Sequence, residues 1–275
     1  YLVFFAVLVF TPMVVVFAQA DLARAQVTDE HVDTIRVTSV SHDVDFPNGI
    51  WLELEAEADS DIIDIKVIYR IAEQDSTVYG YPEYIPGRSV KSRFKIPTSG
   101  PSYLPSGVRI EYHYIIKDSR GVGLKSSTYG LVYLDPQYDW REDRVGFMNL
   151  LTHGISRDTV NEIAIAANDR LEEMKSVYGL DVIQPKKGVI FNNRKEASHG
   201  FPMVSNTARE EHVYQGFAFN QFDLFALVGL DINSMVHEMS HLLLHDAVNN
   251  PGSVIPAWLN EGLAMHFEGN SLDRQ

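Results

Sequence analysis

The chain has 275 residues, of which 45% are hydrophobic and 11% aromatic, and it contains no cysteine. These values are typical of a globular protein with room for two domains, and they exclude disulfides, cysteine metal ligands and thiol catalysis. The formal net charge of −14 argues against a nucleic-acid partner, because such a partner requires basic patches that meet its phosphates.

The first twenty residues are apolar and uncharged, and they end in Ala18-Gln19-Ala20. An apolar stretch followed by Ala-x-Ala is typical of a signal peptide and its cleavage site. A stretch of about twenty apolar residues is also long enough to span a bilayer as an uncleaved anchor. We therefore expect residues 1–20 to be a signal peptide or a membrane anchor, and the folded part to be secreted or otherwise extracytoplasmic.

Residues 31–135 show a period of two, in which apolar side chains alternate with polar ones. The alternation is clearest over residues 50–57, 63–70 and 108–116, and it is typical of half-buried antiparallel strands. About seven such strands, separated by turns, predict an all-β immunoglobulin-like sandwich that lacks the antibody disulfide. This domain is either a spacer that positions its neighbour or a module that binds wall polymer, protein or glycan through exposed aromatics.

The period becomes helical after Trp140. Apolar residues from Val160 to Tyr178 recur at helical spacing between a capping Ser156 or Asp158 and Gly179, which predicts one long amphipathic helix. Apolar runs at residues 188–191 and 212–220 then predict two strands, so residues 141–275 are expected to form a second domain.

The segment His237-Glu238-Met239-Ser240-His241 lies on a predicted helix with an apolar face. Because residues four apart on a helix point the same way, His237 and His241 can bind one metal ion. Glu238 lies beside them, angled away from direct ligation, where it can act as the general base that takes a proton from water. The alternative is a buried helix whose histidines bond to the backbone.

The third metal ligand is expected to be Glu261, with nineteen residues between it and His241. That gap allows a turn at Asn249-Asn250-Pro251-Gly252 and a second helix that has Pro256 in its first turn. Gly262 is expected to let the two helices approach closely. The sequence therefore predicts one Zn²⁺ ion held by His237, His241 and Glu261, with the fourth position left open.

These two motifs resemble those of the gluzincin zinc metallopeptidases, most closely the peptidase MA-like group and more distantly aminopeptidase N. The resemblance implies an α+β thermolysin-like domain over residues 141–275, zinc ligation by His237, His241 and Glu261, and Glu238 as the base. It also implies that an edge strand within residues 213–219 pairs with the substrate backbone, although an internal strand fits the pattern equally well. Phe219 stands where the aminopeptidases carry the Glu that binds a free amine.

The chain begins with Tyr1 and ends fourteen residues after Glu261, whereas gluzincins place a Tyr or His oxyanion donor well beyond that Glu. We therefore expect a catalytic domain that is incomplete at its C-terminal end. Taken together, these features predict a secreted multidomain zinc metallopeptidase that acts on a peptide or protein substrate. The alternative is a non-catalytic exported adhesion or cell-wall-binding module that retains a gluzincin fold.

Overall fold

A computed structural model describes residues 34–71, 74, 76–202, 215–248 and 254–269. The predicted signal peptide or anchor at residues 1–20 lies outside these residues. No helix within the described ranges is long and apolar enough to cross a membrane. All of the described residues belong to one compact unit, Asp33–Gln275.

Seven antiparallel strands form the first sheet, and one long strand organises it. The strands are β1 (Ile35–Asp45), β2 (Gly49–Ile71), β3 (Thr77–Gly80), β4 (Gly87–Pro97), β5 (Arg109–Asp118), β6 (Gly123–Lys125) and β7 (Tyr129–Val132). The first half of β2 pairs with β1 and β4, and its second half pairs with β3 and β5. Because β2 joins both halves by hydrogen bonds, the sheet curls upon itself without being divided into two sheets.

Strand β2 continues through Ala58-Asp59-Ser60-Asp61, which looks like a turn in the sequence. The pairing register shifts on both sides of Ile62, and such bulges let a strand bend while it remains extended. Ser60 is buried here, and its hydroxyl donates a hydrogen bond to the carboxylate of Asp118 at the end of β5. A buried polar residue is therefore tolerated inside the strand because it has a partner.

Five strands form the second sheet, in the order β11-β12-β10-β9-β8. They are β8 (Arg141–Val145), β9 (Met148–Thr152), β10 (Lys186–Phe191), β11 (Gly216–Phe219) and β12 (Leu224–Val228). The three central strands are parallel, and the two outer strands, β8 and β11, are antiparallel to their neighbours. Strand β11 therefore forms one edge of this sheet.

Four α-helices occur in the described residues: α1 (Arg157–Tyr178), α2 (Arg194–Gly200), α3 (Ile232–Val248) and α4 (Ala257–Phe267). Helix α1 begins and ends where the sequence predicts, with Ser156 as its N-cap and Gly179, at φ 67°, as its C-cap. The Ser156 hydroxyl accepts a hydrogen bond from the Thr159 backbone N–H, which satisfies one of the free donors of the first turn.

The second sheet is buried on both faces. Ile190 and Phe225 pack with α1 and α3 in one apolar cluster. Val189 and Phe191 instead belong to the cluster formed by the buried side chains of the first sheet. Two hydrogen bonds link the connection between β4 and β5 to the second half of the chain. The Tyr103 hydroxyl donates to the Gly200 carbonyl of α2 at 2.7 Å, and the Lys187 ammonium of β10 donates to the Gly107 carbonyl at 2.8 Å. The two predicted domains therefore share a continuous core.

The predicted fold class, an immunoglobulin-like sandwich followed by an α+β thermolysin-like domain, is wrong. Strands make up 43% of the described residues and helices 29%, so the structure is mostly β. The first seven strands are hydrogen-bonded into one curled sheet, and only four α-helices occur in the described ranges. The sequence pattern failed because it shows how residues alternate along each strand but not that β2 continues through its polar midpoint.

Candidate metal centre

Helices α3 and α4 bring the three predicted metal ligands together. The Nε2 atom of His237 lies 3.6 Å from one carboxylate oxygen of Glu261, and the Nε2 atom of His241 lies 3.8 Å from the other. One ligand atom from each of the three residues lies within 4.8 Å of the other two. The predicted spacing, four residues from His237 to His241 and nineteen intervening residues before Glu261, therefore produces one convergent group.

The capping residues of α3 and α4 set where the two helices that carry the three ligands begin and end. The Asp231 carboxylate caps α3 by accepting a hydrogen bond from the Ser234 backbone N–H at 2.8 Å. Pro256 is the N-cap of α4, one position before the predicted first turn, and Gly269 follows the C-cap with φ 78°. Both helices thus begin and end within a residue or two of the signals in the sequence.

The second nitrogen of each imidazole is held by a hydrogen bond. The Nδ1–H group of His241 donates to the Asn260 side-chain oxygen at 2.9 Å, and that of His237 donates to the Glu268 carboxylate at 3.1 Å. Because each Nδ1 faces an oxygen acceptor, the proton belongs on Nδ1 and the lone pair belongs on Nε2. Both lone pairs therefore face Glu261.

Glu238 lies beside the ligands but is buried, with only 7% of the residue exposed. Burial first, and then the neighbouring carboxylates of Glu261 and Glu268, together raise the pKa of Glu238 from 4.5 to about 8. Burial also lowers the pKa of His241, against the effect of its hydrogen bond to Asn260, and neutral imidazole is the form that binds metal.

An open cleft of about 540 Å³ leads to these residues. Edge strand β11 forms one wall, with Gln215, Gly216, Phe217 and Ala218 contributing, and helices α3 and α4 form the other. A side chain at position 216 would come within 2.8 Å of a Glu238 carboxylate oxygen, so the glycine lets the strand lie directly against the buried carboxyl.

The charge of the cleft favours a cation. Its described lining includes the three carboxyl groups of Glu238, Glu261 and Glu268 but neither lysine nor arginine. Ligands held about 2.1 Å from a tetrahedral zinc ion stand about 3.4 Å apart. The histidine nitrogens lie 3.6 Å and 3.8 Å from different oxygens of Glu261, and the three ligand atoms lie within 4.8 Å of one another, so these residues fit zinc once the side chains close in on the ion.

One further expectation at this site has a different outcome. Gly262 does not bring the helices together, because a side chain added there would have nothing within 4 Å. Asp246, near the end of α3, forms an ion pair with the buried Lys186 at 2.6 Å. Asn260 and Glu268 were missed as imidazole partners, although Glu268 follows Glu261 by seven residues, two helical turns, which was a usable signal.

Comparison with known proteins assigns no family, because no family model and no curated protein matches the chain. Among solved structures, BhCBM56, determined as a Br derivative, is similar at 10% identity over 34% of this chain and 88% of that chain, with a TM-score of 0.26. Wild-type OgpA from Akkermansia muciniphila is similar at 11% identity over 36% of this chain and 27% of that chain, with a TM-score of 0.27.

Catalytically inactive OgpA in complex with the O-glycopeptide substrate glycodrosocin gives 10% identity over 41% of this chain and 32% of that chain, with a TM-score of 0.29. The chain thus spans less than a third of the OgpA length in both comparisons. Likenesses at these TM-scores carry no argument about function, which rests on the site geometry alone.

Proposed function

We propose that this chain is a zinc-dependent metallopeptidase that hydrolyses peptide bonds in a peptide or protein substrate outside the cytoplasm. The observation that carries the proposal is the arrangement of His237, His241 and Glu261, whose ligand atoms converge within 4.8 Å beside the buried carboxyl of Glu238. The extracytoplasmic location rests only on the apolar sequence of residues 1–20.

The donor set suits zinc chemistry. Two neutral imidazoles and one carboxylate are a ligand set found in catalytic zinc sites, which keep a fourth position for water or substrate. When bound, zinc supplies a Lewis acid that polarises a carbonyl group and lowers the pKa of water. The chain's own residues hold the ion and handle the protons.

Glu238 is the proposed proton carrier. It takes one proton from the attacking water as the new C–O bond forms, and it delivers a proton to the amine nitrogen as the C–N bond breaks. A carboxyl group whose pKa lies near neutral pH can both accept and donate at that pH, and in the metal-free protein burial, Glu261 and Glu268 together raise the pKa of Glu238 to about 8. Glu238 therefore ends the cycle in the protonation state in which it began.

Strand β11 supports a peptide as the substrate. Among the described strands it lies at the edge of the second sheet, and its residues Gly216, Phe217 and Ala218 line the cleft beside the proposed ligands. An extended peptide can add to such an edge through backbone hydrogen bonds, which bind many sequences without reading their side chains. The proposed substrate segment is therefore extended where it crosses the metal centre.

The proposal is tested by digesting a peptide library with the full chain supplied with zinc, with and without a chelator. Glu238→Gln is the informative variant, and Glu172→Gln, at an exposed position of α1, is the matched control. We expect cleavage by the wild type and the control, its loss in chelator, and its loss in Glu238→Gln while zinc binding is retained. Equal cleavage by the wild type and Glu238→Gln would overturn the assigned base.

A further inference from the structure

The carboxylate of Glu268 is placed to control the orientation of one metal ligand. Its Oε2 atom accepts a hydrogen bond from Nδ1 of His237 at 3.1 Å. Glu268 directly follows the last residue of α4, where its backbone N–H closes the helix on the Ala264 carbonyl. The same short helix therefore provides a ligand, Glu261, near its middle and a partner for another ligand at its end.

Arg170 of α1 holds this end of α4 in place. Its Nη1 atom donates to the backbone carbonyl of Glu268 at 2.7 Å and to the side-chain oxygen of Asn233 at 2.8 Å. Asn233 lies one turn before His237 on α3, so one guanidinium links three helices at this corner. Gly269 makes room for it, because a side chain there would approach Arg170 Nη1 to 3.0 Å.

The two imidazoles are held by chemically different acceptors. His241 donates to the neutral amide oxygen of Asn260, whereas His237 donates to a carboxylate. A hydrogen bond to a charged acceptor is stronger than one to a neutral acceptor, and it makes the opposite nitrogen a better electron donor. The side chain of Glu268 is 41% exposed, so changing it need not disturb the core.

We propose that Glu268 is a positioning residue that fixes the His237 ring with Nε2 toward Glu261. Arg170 in turn fixes Glu268 by donating a hydrogen bond to the Glu268 backbone carbonyl. This inference rests on the metal centre of the proposed function and adds to it the group that sets how tightly the ion is held. Removing a hydrogen-bond partner of a ligating histidine typically weakens metal binding by about 10- to 100-fold.

The test is a zinc titration of the full chain in competition with a chromophoric chelator. The variants are Glu268→Ala, Glu268→Gln and, as the matched control at an exposed glutamate of α1, Glu172→Ala. We expect about 10- to 100-fold weaker zinc binding for Glu268→Ala, a smaller loss for Glu268→Gln, which keeps an oxygen acceptor, and no change for the control. Urea unfolding of the metal-free proteins is measured alongside.

Two outcomes would overturn the positioning role. One is zinc binding by Glu268→Ala as tight as that of the wild type. The other is a Glu268→Ala variant that unfolds at lower urea concentration without metal but binds zinc as tightly as the wild type once it is folded. A residue with only a structural role would give that result. Failure of the wild type to bind zinc at all would instead overturn the proposed function, so the two failures are distinguishable.

Discussion

Replacing Glu238 by glutamine is expected to stabilise the metal-free protein at alkaline pH. In the folded protein the pKa of this carboxyl is raised from 4.5 to about 8, first by burial and then by Glu261 and Glu268. Glutamine has nearly the same shape and carries no charge, so it removes the cost of ionising a buried carboxyl and preserves the packing.

The sign and size of the effect follow from the raised pKa. Below pH 4.5 the carboxyl is protonated in both the folded and unfolded states, and its contribution to stability is fully present. Between pH 4.5 and about 8 the unfolded chain releases this proton while the folded chain keeps it, so the free energy of unfolding falls as pH rises. Above that range the accumulated loss is about 5 kcal/mol, and Glu238→Gln does not suffer it.

The assay is urea unfolding of wild type, Glu238→Gln and the exposed-site control Glu172→Gln, all in chelator, over a pH series from acid to alkaline. We expect the wild type and Glu238→Gln to have similar free energies of unfolding at acid pH and to diverge progressively as pH rises, with the variant more stable. The control is expected to follow the wild type. Parallel curves for the wild type and Glu238→Gln would refute the reasoning about the buried carboxyl.

Two further predictions concern glycines and a buried serine. Gly216→Ala places a methyl group within 2.5 Å of the Leu227 side chain, 2.8 Å of a Glu238 oxygen and 2.9 Å of the Ala226 carbonyl oxygen, so we expect β11 to shift and peptide cleavage to fall while zinc affinity is kept. Gly262→Ala meets nothing within 4 Å and should raise the free energy of unfolding by about 0.5–1 kcal/mol. Equal cleavage by the two variants would contradict the close approach of β11. Ser60→Ala removes the hydroxyl that donates to the buried Asp118 carboxylate, and we expect a loss of about 1.5–3 kcal/mol in urea unfolding. An unchanged stability would show that the hydrogen bond does not support the continuous β2 strand.

Local signals in the sequence predicted those features that depend on neighbouring residues. Helix α1 is capped by Ser156 and Gly179, because a capping hydroxyl and a left-handed glycine each act within one turn of the helix. The convergence of His237 and His241 follows likewise from helical spacing alone. Glu261 required a further step, because its helix had to return past α3 after nineteen intervening residues.

Features that depend on contacts between residues far apart in the chain were not predicted from the sequence. Ala58-Asp59-Ser60-Asp61 has the composition of a turn, but Ser60 finds its partner in Asp118, 58 residues away, and the strand continues. Because β2 continues through these residues, the strands form one curled sheet and not the expected sandwich of two sheets. Glu268 reaches His237 across 31 residues, and the bond depends on how α4 packs on α3. The seven-residue spacing from Glu261 to Glu268 puts both residues on one helix face, but it does not encode how α4 packs on α3.

The central claim is that one divalent cation is held between α3 and α4. Its most direct test is a crystal structure of the full chain grown with zinc, with anomalous data collected on both sides of the zinc absorption edge. We predict one anomalous peak per chain, bonded to Nε2 of His237, Nε2 of His241 and a carboxylate oxygen of Glu261, at about 2.0–2.2 Å from each. A vacant position among these three side chains under saturating zinc, or a peak that excludes Glu261, would contradict the account.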